Sequence, residues 1–429
     1  MSNAPARKMG ENPDRVLALA GIRGYGFLAI FAAHYLTEVI FAHRANKWVN
    51  GVYYVGHLAW LALPAFFVLS GYLIGGILFR SHDRKGFFKV FYARRALRVL
   101  PVYYITILIV AGVDLAQGVH LDYKYWSHLI YIQNFMPGYS ATGYAPNNQI
   151  IHLWSMALEE QFYLTWPIVV WFAKDRKTLL KITLSICAVC WIIRLIAPWI
   201  HLSPTRGYYA TPTRVDAILF GVALALVADH EIYKRYQYLA KYVAVVGSLL
   251  WLLTFANHPD YPDNYYRLVL DCSFGNFIVL AIIVAALEEG SAFARFLSVR
   301  WVCWLGQMSY ALYTFHFTYH AWFLNSLRPM LERHIAEPGA FILTMTLALA
   351  LTIALGMLSL HFVELPALSL KRYFKYGRES LTPPSALPAD KETSFLRPPA
   401  QDPLSVPTEF SEAQNEASPH EFVAPGLLR

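Results

Sequence analysis

Charged residues are scarce in this sequence. They make up 15% of its 429 residues, whereas 56% are hydrophobic and 16% are aromatic. A soluble globular domain has about 25% charged residues, so the composition argues against such a domain and favours a protein embedded in a lipid bilayer. The formal net charge is +8, but the basic residues cluster in short segments between apolar runs. We therefore expect no nucleic-acid partner.

The sequence also has few cysteines, and its histidines lack the spacing of metal ligands. All four cysteines lie in apolar stretches: Cys187, Cys190, Cys272 and Cys303. The first two form a CxxC with helical spacing, which favours packed thiols over a redox or zinc site. Because the histidines are scattered without ligand spacing, we predict no metal site and no permanently bound cofactor.

The sequence has no recognisable signal peptide and no convincing internal repeat. The first apolar run, 17–42, is too long for a signal peptide, contains Arg23 and is not followed by a small-residue cleavage site. The lack of a repeat argues against an inverted-repeat transporter. Residues 378–429 are rich in Pro, Ser, Glu and Ala and poor in aliphatic residues, which predicts a disordered tail.

Apolar runs dominate the rest of the chain, and a membrane span needs roughly 20 mostly apolar residues. About ten runs are candidates: 17–42, 56–79, 97–113, 150–173, 179–200, 212–228, 241–256, 266–287, 301–325 and 339–363. The run 125–136 is too short to cross and predicts a re-entrant or interfacial helix. We therefore expect an all-α, polytopic membrane helical bundle of about ten transmembrane helices over residues 15–372.

The basic residues predict the orientation of this bundle. Seven Lys and Arg residues lie between positions 80 and 98 and four between 371 and 378, whereas the alternate connecting segments hold one or two each. By the positive-inside rule, the N-terminal segment 1–14 and the C-terminal tail are both cytoplasmic. We expect a multi-pass protein of the cell inner (plasma) membrane.

Two ionisable residues share one face of the first predicted helix. His34 follows Arg23 by eleven residues, and at about 100° per residue they lie within about 20° of the same face, roughly 16 Å apart. Ionisable groups in hydrocarbon normally face a protein interior or a watery cavity and mark a functional path. The alternative is that His34 only hydrogen-bonds a neighbouring helix.

Further charged pairs lie at the cytoplasmic mouth of the third predicted span and within the fourth. Arg95 and Arg98 are three residues apart and share a helical face, and two guanidinium forks suit phosphate recognition. Ordinary positive-inside anchoring is the alternative for these arginines. Glu159 and Glu160 are adjacent carboxylates that need partners so close to lipid, and His34 or an arginine is the obvious candidate.

These residues belong to motifs by which the chain resembles the acyltransferase-3 family of integral membrane O-acyltransferases, over about residues 15–372. Seven motifs match in order: Arg23 with His34; Phe66 to Leu73; Arg95, Arg98 and Pro101; Trp154 to Tyr163; Arg214 with Asp216; Gly306, Ser309, Tyr310, Tyr313 and His316; and Val363, Glu364 and Pro366. Many family members carry a fused extracytoplasmic hydrolase-like domain, which we do not expect in this chain.

The resemblance implies an enzyme that moves an acyl group, often acetyl from acetyl-CoA, to a hydroxyl of a carbohydrate, a lipid-linked glycan or a related acceptor. His34 would be the general base, with Arg23 holding the donor and Glu159 fixing the imidazole. Arg95 and Arg98 would bind the phosphates of the acyl-CoA. The same motifs contain further candidate site residues: Ser70, Tyr163, Arg214, Asp216, Tyr313, His316 and Glu364.

The sequence leaves several alternatives open. Direct transfer and an acyl-histidine relay both fit these residues, and so do a monomer and a homo-oligomer. A different class is a proton-coupled transporter or exporter that uses Arg23, His34 and Glu159 as a relay. The paired arginines, which a proton relay does not need, and the lack of a repeat favour the enzyme.

Overall fold

The structure is a computed structural model that describes residues 13–42, 57–121, 123–136, 149–257, 264–288 and 290–377. Its regular structure over these residues is entirely helical, which confirms the predicted all-α class. Nine helices in the described residues have at least 12 residues: α1 (Pro13–Ala42), α2 (Ala62–Ser81), α3 (Phe87–Ala116), α4 (Trp154–Ala173), α5 (Arg176–Ile196), α6 (Asp216–Val227), α7 (Ala240–Asn257), α8 (Tyr265–Ala286) and α9 (Glu337–Ser359). The predicted tail 378–429 and most of segment 1–14 lie outside the described residues.

Short helices connect these long ones. The α-helical pieces are Tyr123–Leu129, Pro204–Tyr209, Glu231–Tyr236, Ala292–Leu297, Arg300–Gln307, Ser309–Phe315, His320–Trp322, Arg328–Glu332 and Leu365–Ser369. Two π-helical turns are Phe323–Leu327 and Leu360–Glu364. The 3₁₀ turns are His57–Leu61, Gln133–Phe135, Ile151–Leu153, Thr211–Thr213, Gln237–Leu239 and Leu370–Tyr373.

The structure supports a multi-pass membrane bundle, but it does not confirm ten spans. Seven helical stretches of the described chain are long and apolar enough to cross a membrane: 17–36, 58–81, 87–116, 176–196, 233–253, 268–286 and 337–373. Of the other predicted spans, 150–173 forms α4, which carries two adjacent carboxylates, and 212–228 forms α6, which has only 12 residues. The third, 301–325, is not one helix.

The predicted span 301–325 is interrupted twice. The chain leaves the helical conformation at Met308, between Arg300–Gln307 and Ser309–Phe315, and again in a turn over residues 316–319. The run contains no proline and only one glycine, so the usual signals of a broken helix are absent. Broken helices inside a membrane bundle are tolerated where the freed backbone is buried in protein or lines a cavity.

The short helix Tyr123–Leu129 lies against α3 and is too short to cross a membrane. The hydroxyl of Tyr103 donates to the carbonyl of His128 (3.0 Å), and the hydroxyl of Tyr104 donates to that of Leu129 (2.8 Å). Trp126 is exposed on its other side. These contacts agree with an interfacial or re-entrant segment rather than an eleventh span.

Glycines allow the closest helix crossings of the bundle. A Cβ on Gly221 of α6 would lie 1.9 Å from the carbonyl oxygen of Val68, and one on Gly71 of α2 would lie 1.8 Å from that of Ile218. The backbones of α2 and α6 therefore touch directly, as small residues permit in membrane bundles. This contact fixes the helix that carries Ser70.

We expect Gly221→Ala to lower stability by about 1–3 kcal/mol, because the new methyl group would overlap the backbone of α2. The matched control is Gly112→Ala in α3, where a Cβ would have no atom within 4 Å; that change should stabilise slightly, since alanine is the better helix former. Thermal unfolding in detergent, followed by the loss of monodisperse protein, measures both. Equal unfolding temperatures for the two variants would contradict the close crossing.

Candidate functional site

A cavity of about 100 Å³ lies between α1, α2, α3, α4 and the helix Ser309–Phe315. Four charged side chains line it: Arg23, Arg95, Arg98 and Glu159. Six hydroxyl groups also line it: Ser70, Ser155, Tyr163, Ser309, Tyr310 and Tyr313. The cavity thus brings together seven of the residues singled out in the sequence, from five separate stretches of the chain.

Positive side chains outnumber negative ones in the lining of the cavity. Three guanidinium groups, those of Arg23, Arg95 and Arg98, act electrostatically on the single lining carboxyl group, that of Glu159. Arg95 also acts on Glu160, which does not line the cavity, and its guanidinium lies 5.7 Å from the ring centroid of Tyr163. An excess of forked cations in an enclosed site suits an anion with several oxygen atoms.

Glu159 is held by Tyr163 and not by the imidazole predicted for it. The hydroxyl of Tyr163 donates to Oε2 of Glu159 (3.2 Å) and lies 2.6 Å from Oγ of Ser70. Since the tyrosine has one hydroxyl proton, the Ser70 hydroxyl must donate to Tyr163. The three side chains thus connect α2 to α4 across the cavity, and the expected Glu159–His34 contact is replaced by this chain.

His34 forms a pair with His316. Nδ1 of His34 lies 3.0 Å from Nε2 of His316, whose Nδ1 lies 2.6 Å from the carbonyl oxygen of Tyr313. A carbonyl can only accept, so His316 carries its proton on Nδ1 and accepts at Nε2. His34 must then donate from Nδ1, which leaves the lone pair of its Nε2 available as a base.

Two more histidines surround this pair. Nε2 of His320 lies 3.2 Å from the carbonyl oxygen of His34, and Nε2 of His152 lies 3.0 Å from that of Thr314. The ring centroids of His152 and His316 are 5.2 Å apart. The histidines are therefore not all scattered, as their positions in the sequence suggested, because the fold gathers four of them. Over the described residues, no group of His, Cys, Asp and Glu is arranged to hold a metal ion.

Asp216 does not line the cavity. It pairs with Arg194, which belongs to none of the sequence motifs. Arg194 donates to both carboxylate oxygens of Asp216, from Nη1 to Oδ1 (3.0 Å) and from Nη2 to Oδ2 (2.6 Å), and both side chains are fully buried. Arg194 is an isolated charge in the predicted span 179–200. The cost of such a charge in hydrocarbon was the signal that could have identified it.

Arg214 and Glu364 also lie outside the cavity lining. Nη1 of Arg214 lies 2.6 Å from Sγ of Cys272, and its guanidinium lies over the ring of Tyr208 at 4.8 Å. Glu364 accepts from the hydroxyl of Ser359 (3.4 Å) and is within electrostatic range of Arg98. These residues pack the bundle around the cavity, and Glu364 reaches the cavity only through Arg98.

A family described as an acyltransferase domain matches residues 16–359 of this chain. The match covers most of the region over which the motifs predicted the acyltransferase-3 family, and that prediction is thereby confirmed. No solved structure matches the chain.

Several bacterial O-acetyltransferases are similar to this chain. The peptidoglycan O-acetyltransferase OatA of Listeria monocytogenes is 26% identical over 379 residues, which cover 82% of this chain and 55% of that protein. The O-acetyltransferase OatA of Staphylococcus aureus is 24% identical over 380 residues, which cover 83% of this chain and 57% of that protein. The chain spans a little over half the length of these curated relatives.

Proposed function

The chain belongs to the acyltransferase-3 family, and from this membership we propose that it is a membrane O-acetyltransferase. It would move an acetyl group from acetyl-CoA to a carbohydrate hydroxyl of the cell envelope, as the names of its relatives suggest. One observation carries the proposal: a cavity lined by three arginines lies beside a histidine pair in which His34 bonds His316 through Nδ1, so that Nε2 is the nitrogen that would act as the base. A proton-coupled transporter is not favoured by this family membership.

The donor would enter the cavity at Arg95 and Arg98. Both arginines lie in the third and fourth turns of α3 and line the cavity, so their guanidinium forks can hold the phosphates of CoA. Arg23 lies on α1, on the face that also carries His34, and as the third guanidinium group of the cavity it can also hold the donor. The basic segments make this entrance cytoplasmic by the positive-inside rule, with both termini on the same side of the inner membrane.

The chemical step would use the His34–His316 pair. Nε2 of His34 takes the proton from the acceptor hydroxyl while that oxygen attacks the thioester carbonyl. The C–S bond then breaks, and the proton passes from the imidazolium to the departing thiolate, so that the products are the acetyl ester and CoA. His316 accepts from Nδ1 of His34 and stabilises the positive charge while it exists, as an orienting partner does in a catalytic triad.

A transfer assay tests the function directly. Purified protein in detergent is incubated with labelled acetyl-CoA and extracted envelope glycans, and the glycans are analysed by mass spectrometry for ester-linked acetyl groups. We expect label in the glycans and free CoA in equal amounts. Release of CoA without any acetylated glycan or lipid would contradict the proposed acceptor, and absence of both products would contradict the enzyme.

The same preparation separates direct transfer from an acyl-histidine relay. Without an acceptor, a relay leaves the acetyl group on Nε2 of His34, so acid-quenched wild-type protein would carry label. Direct transfer leaves the protein unlabelled under these conditions. His34→Ala provides the background value for this measurement.

We expect Arg95→Ala and Arg98→Ala to weaken CoA binding by about tenfold or more each, because hydrogen bonds to charged groups contribute roughly 1.5–3 kcal/mol. Lysine at either position should restore only part of the affinity, because a point charge lacks the bidentate fork. Calorimetry with CoA measures the affinity.

Arg94→Ala is the matched control for these two variants. Arg94 is adjacent in the same helix, but its Nε donates to the carbonyl of Phe374 (2.8 Å) and it does not line the cavity. Its loss should leave CoA affinity nearly unchanged. If all three alanine variants bind CoA equally well, Arg95 and Arg98 are ordinary membrane anchors.

A further inference from the structure

Two aromatic rings close the end of the cavity that is nearer to the histidine pair. Phe66 and Tyr313 both line the cavity, and their ring centroids are 6.1 Å apart with planes tilted by 50°. Aromatic rings in direct contact have centroids about 4.5–7 Å apart. No acyl group therefore fits between these two rings in the observed conformation.

The base lies outside the cavity, and Tyr313 of this ring pair is next to its partner His316. Neither His34 nor His316 is among the side chains that line the cavity. Tyr313 precedes His316 by about one helical turn, and their ring centroids are 5.3 Å apart. A thioester whose CoA phosphates bind at Arg95 and Arg98 must pass Phe66 and Tyr313 before its carbonyl carbon can meet the acceptor oxygen at His34.

One ring of the pair is anchored and the other is not. The hydroxyl of Tyr313 donates to the carbonyl of His152 (3.1 Å) and lies 2.7 Å from Oγ of Ser155. Phe66 has no polar atom and packs against α1 at Gly26, where a Cβ would lie only 3.2 Å from the Phe66 ring. The absence of a side chain at Gly26 therefore leaves Phe66 the space in which its ring turns.

We propose that Phe66 and Tyr313 form a gate between the donor cavity and His34, and that this gate selects acyl groups by their width. Phe66 moves, Tyr313 stays fixed, and the backbone of α1 behind Gly26 limits how far the ring can turn. Acetyl and unbranched acyl chains pass because only one methyl or methylene group follows the flat carbonyl group between the two rings. Acyl groups branched next to the carbonyl are rejected. The inference rests on the proposed acyl-CoA donor and adds a selectivity to it.

Butyryl-CoA and isobutyryl-CoA test the gate, because their acyl groups have the same atoms and differ in branching. One badly placed methyl group changes kcat/KM by about 10–200-fold, so we expect the wild-type protein to favour butyryl over isobutyryl by at least about tenfold. In Phe66→Ala this ratio should fall to within about threefold. A pocket that selected by length would instead reject both donors equally in the wild-type protein.

Two further variants control for general loosening of the cavity. Leu73→Ala enlarges the same cavity about two helical turns from Phe66 and should leave the butyryl/isobutyryl ratio unchanged. Gly26→Ala pushes the Phe66 ring by a few tenths of an ångström and should increase the ratio above the wild-type value. The double variant Gly26→Ala, Phe66→Ala should resemble Phe66→Ala alone, because the ring that the new methyl displaces is gone.

The outcomes separate this inference from the proposed function. If the wild-type protein transfers acetyl but Phe66→Ala keeps the wild-type ratio while remaining monodisperse, the gate is wrong and the acyltransferase stands. If Leu73→Ala changes the ratio as much as Phe66→Ala, selectivity belongs to the cavity as a whole and the gate is also wrong. If the wild-type protein neither binds CoA nor transfers acetyl, the donor proposal fails and the gate fails with it.

Discussion

Replacing His34 with alanine is expected to reduce acetyl transfer by about 10²–10⁴-fold, because the reaction loses its general base. The folded protein should survive the change. His34 packs against Trp60 and Phe317. Its imidazole also forms hydrogen bonds with His316 and with the backbone of Ile30, and each such bond contributes only about 0.5–1.5 kcal/mol to stability. Initial rates with labelled acetyl-CoA, normalised to monodisperse protein, measure the effect.

His320 supplies the control for this prediction. Its Nε2 reaches only the backbone carbonyl of His34 (3.2 Å), so His320→Gln should disturb the packing of the same cluster without removing the base. Free imidazole added to His34→Ala should restore part of the rate, which a structural role for His34 would not produce. Substantial turnover by folded His34→Ala without imidazole would remove this histidine from the mechanism.

His316 should affect catalysis by a different route. Its Nε2 accepts from His34 and its Nδ1 donates to the carbonyl of Tyr313, so it holds the His34 ring and does not touch the reacting atoms. We therefore expect His316 to act as a positioning residue, comparable to the group that orients the base in a catalytic triad.

The largest effect on folding is expected at the pair Arg194–Asp216. Asp216→Asn leaves the Arg194 guanidinium buried without a counter-charge, and breaking a buried pair in this way costs about 3–5 kcal/mol. We expect the variant to lose monodispersity in detergent or to unfold far below the wild-type temperature. Both side chains are fully buried, and Arg194 makes two hydrogen bonds to the carboxylate.

A double replacement distinguishes the charge from the packing. Arg194→Met combined with Asp216→Leu removes both charges and should recover much of the stability, because an apolar pair of similar volume is often as stable as a buried ion pair. Glu231→Gln, which breaks the exposed pair between Glu231 and Lys234, should have no measurable effect. Wild-type stability in Asp216→Asn would mean that the carboxylate does not neutralise Arg194.

Local periodicity was sufficient to predict part of the site. Arg23 was expected to face the protein interior because charged groups in an apolar helix avoid lipid, and Arg95 was expected at the mouth of the third span; both line one cavity. Arg98 shares a face with Arg95 through its spacing of three residues. These predictions succeeded because the direction of a side chain on a regular helix depends only on residues within a few turns.

The partners of these groups could not be predicted in the same way. His34 pairs with His316 across 282 residues of sequence, and Asp216 pairs with Arg194 and not with the neighbouring Arg214. His316 lies in the turn over residues 316–319 that breaks the helix, yet no proline and no local glycine marks this break.

The membrane class, the helical architecture, the family and the residue types that line the cavity could therefore be predicted without the structure. Hydropathy and spacing carry that information because bilayer thickness and helical period are the same for every chain. The fold, and not the local sequence, brings Glu159 to Tyr163, gathers His152, His316 and His320 around His34, and sets the contact between the rings of Phe66 and Tyr313. Such contacts depend on which helices touch and at what angle, and that choice is made by the packing of the whole bundle.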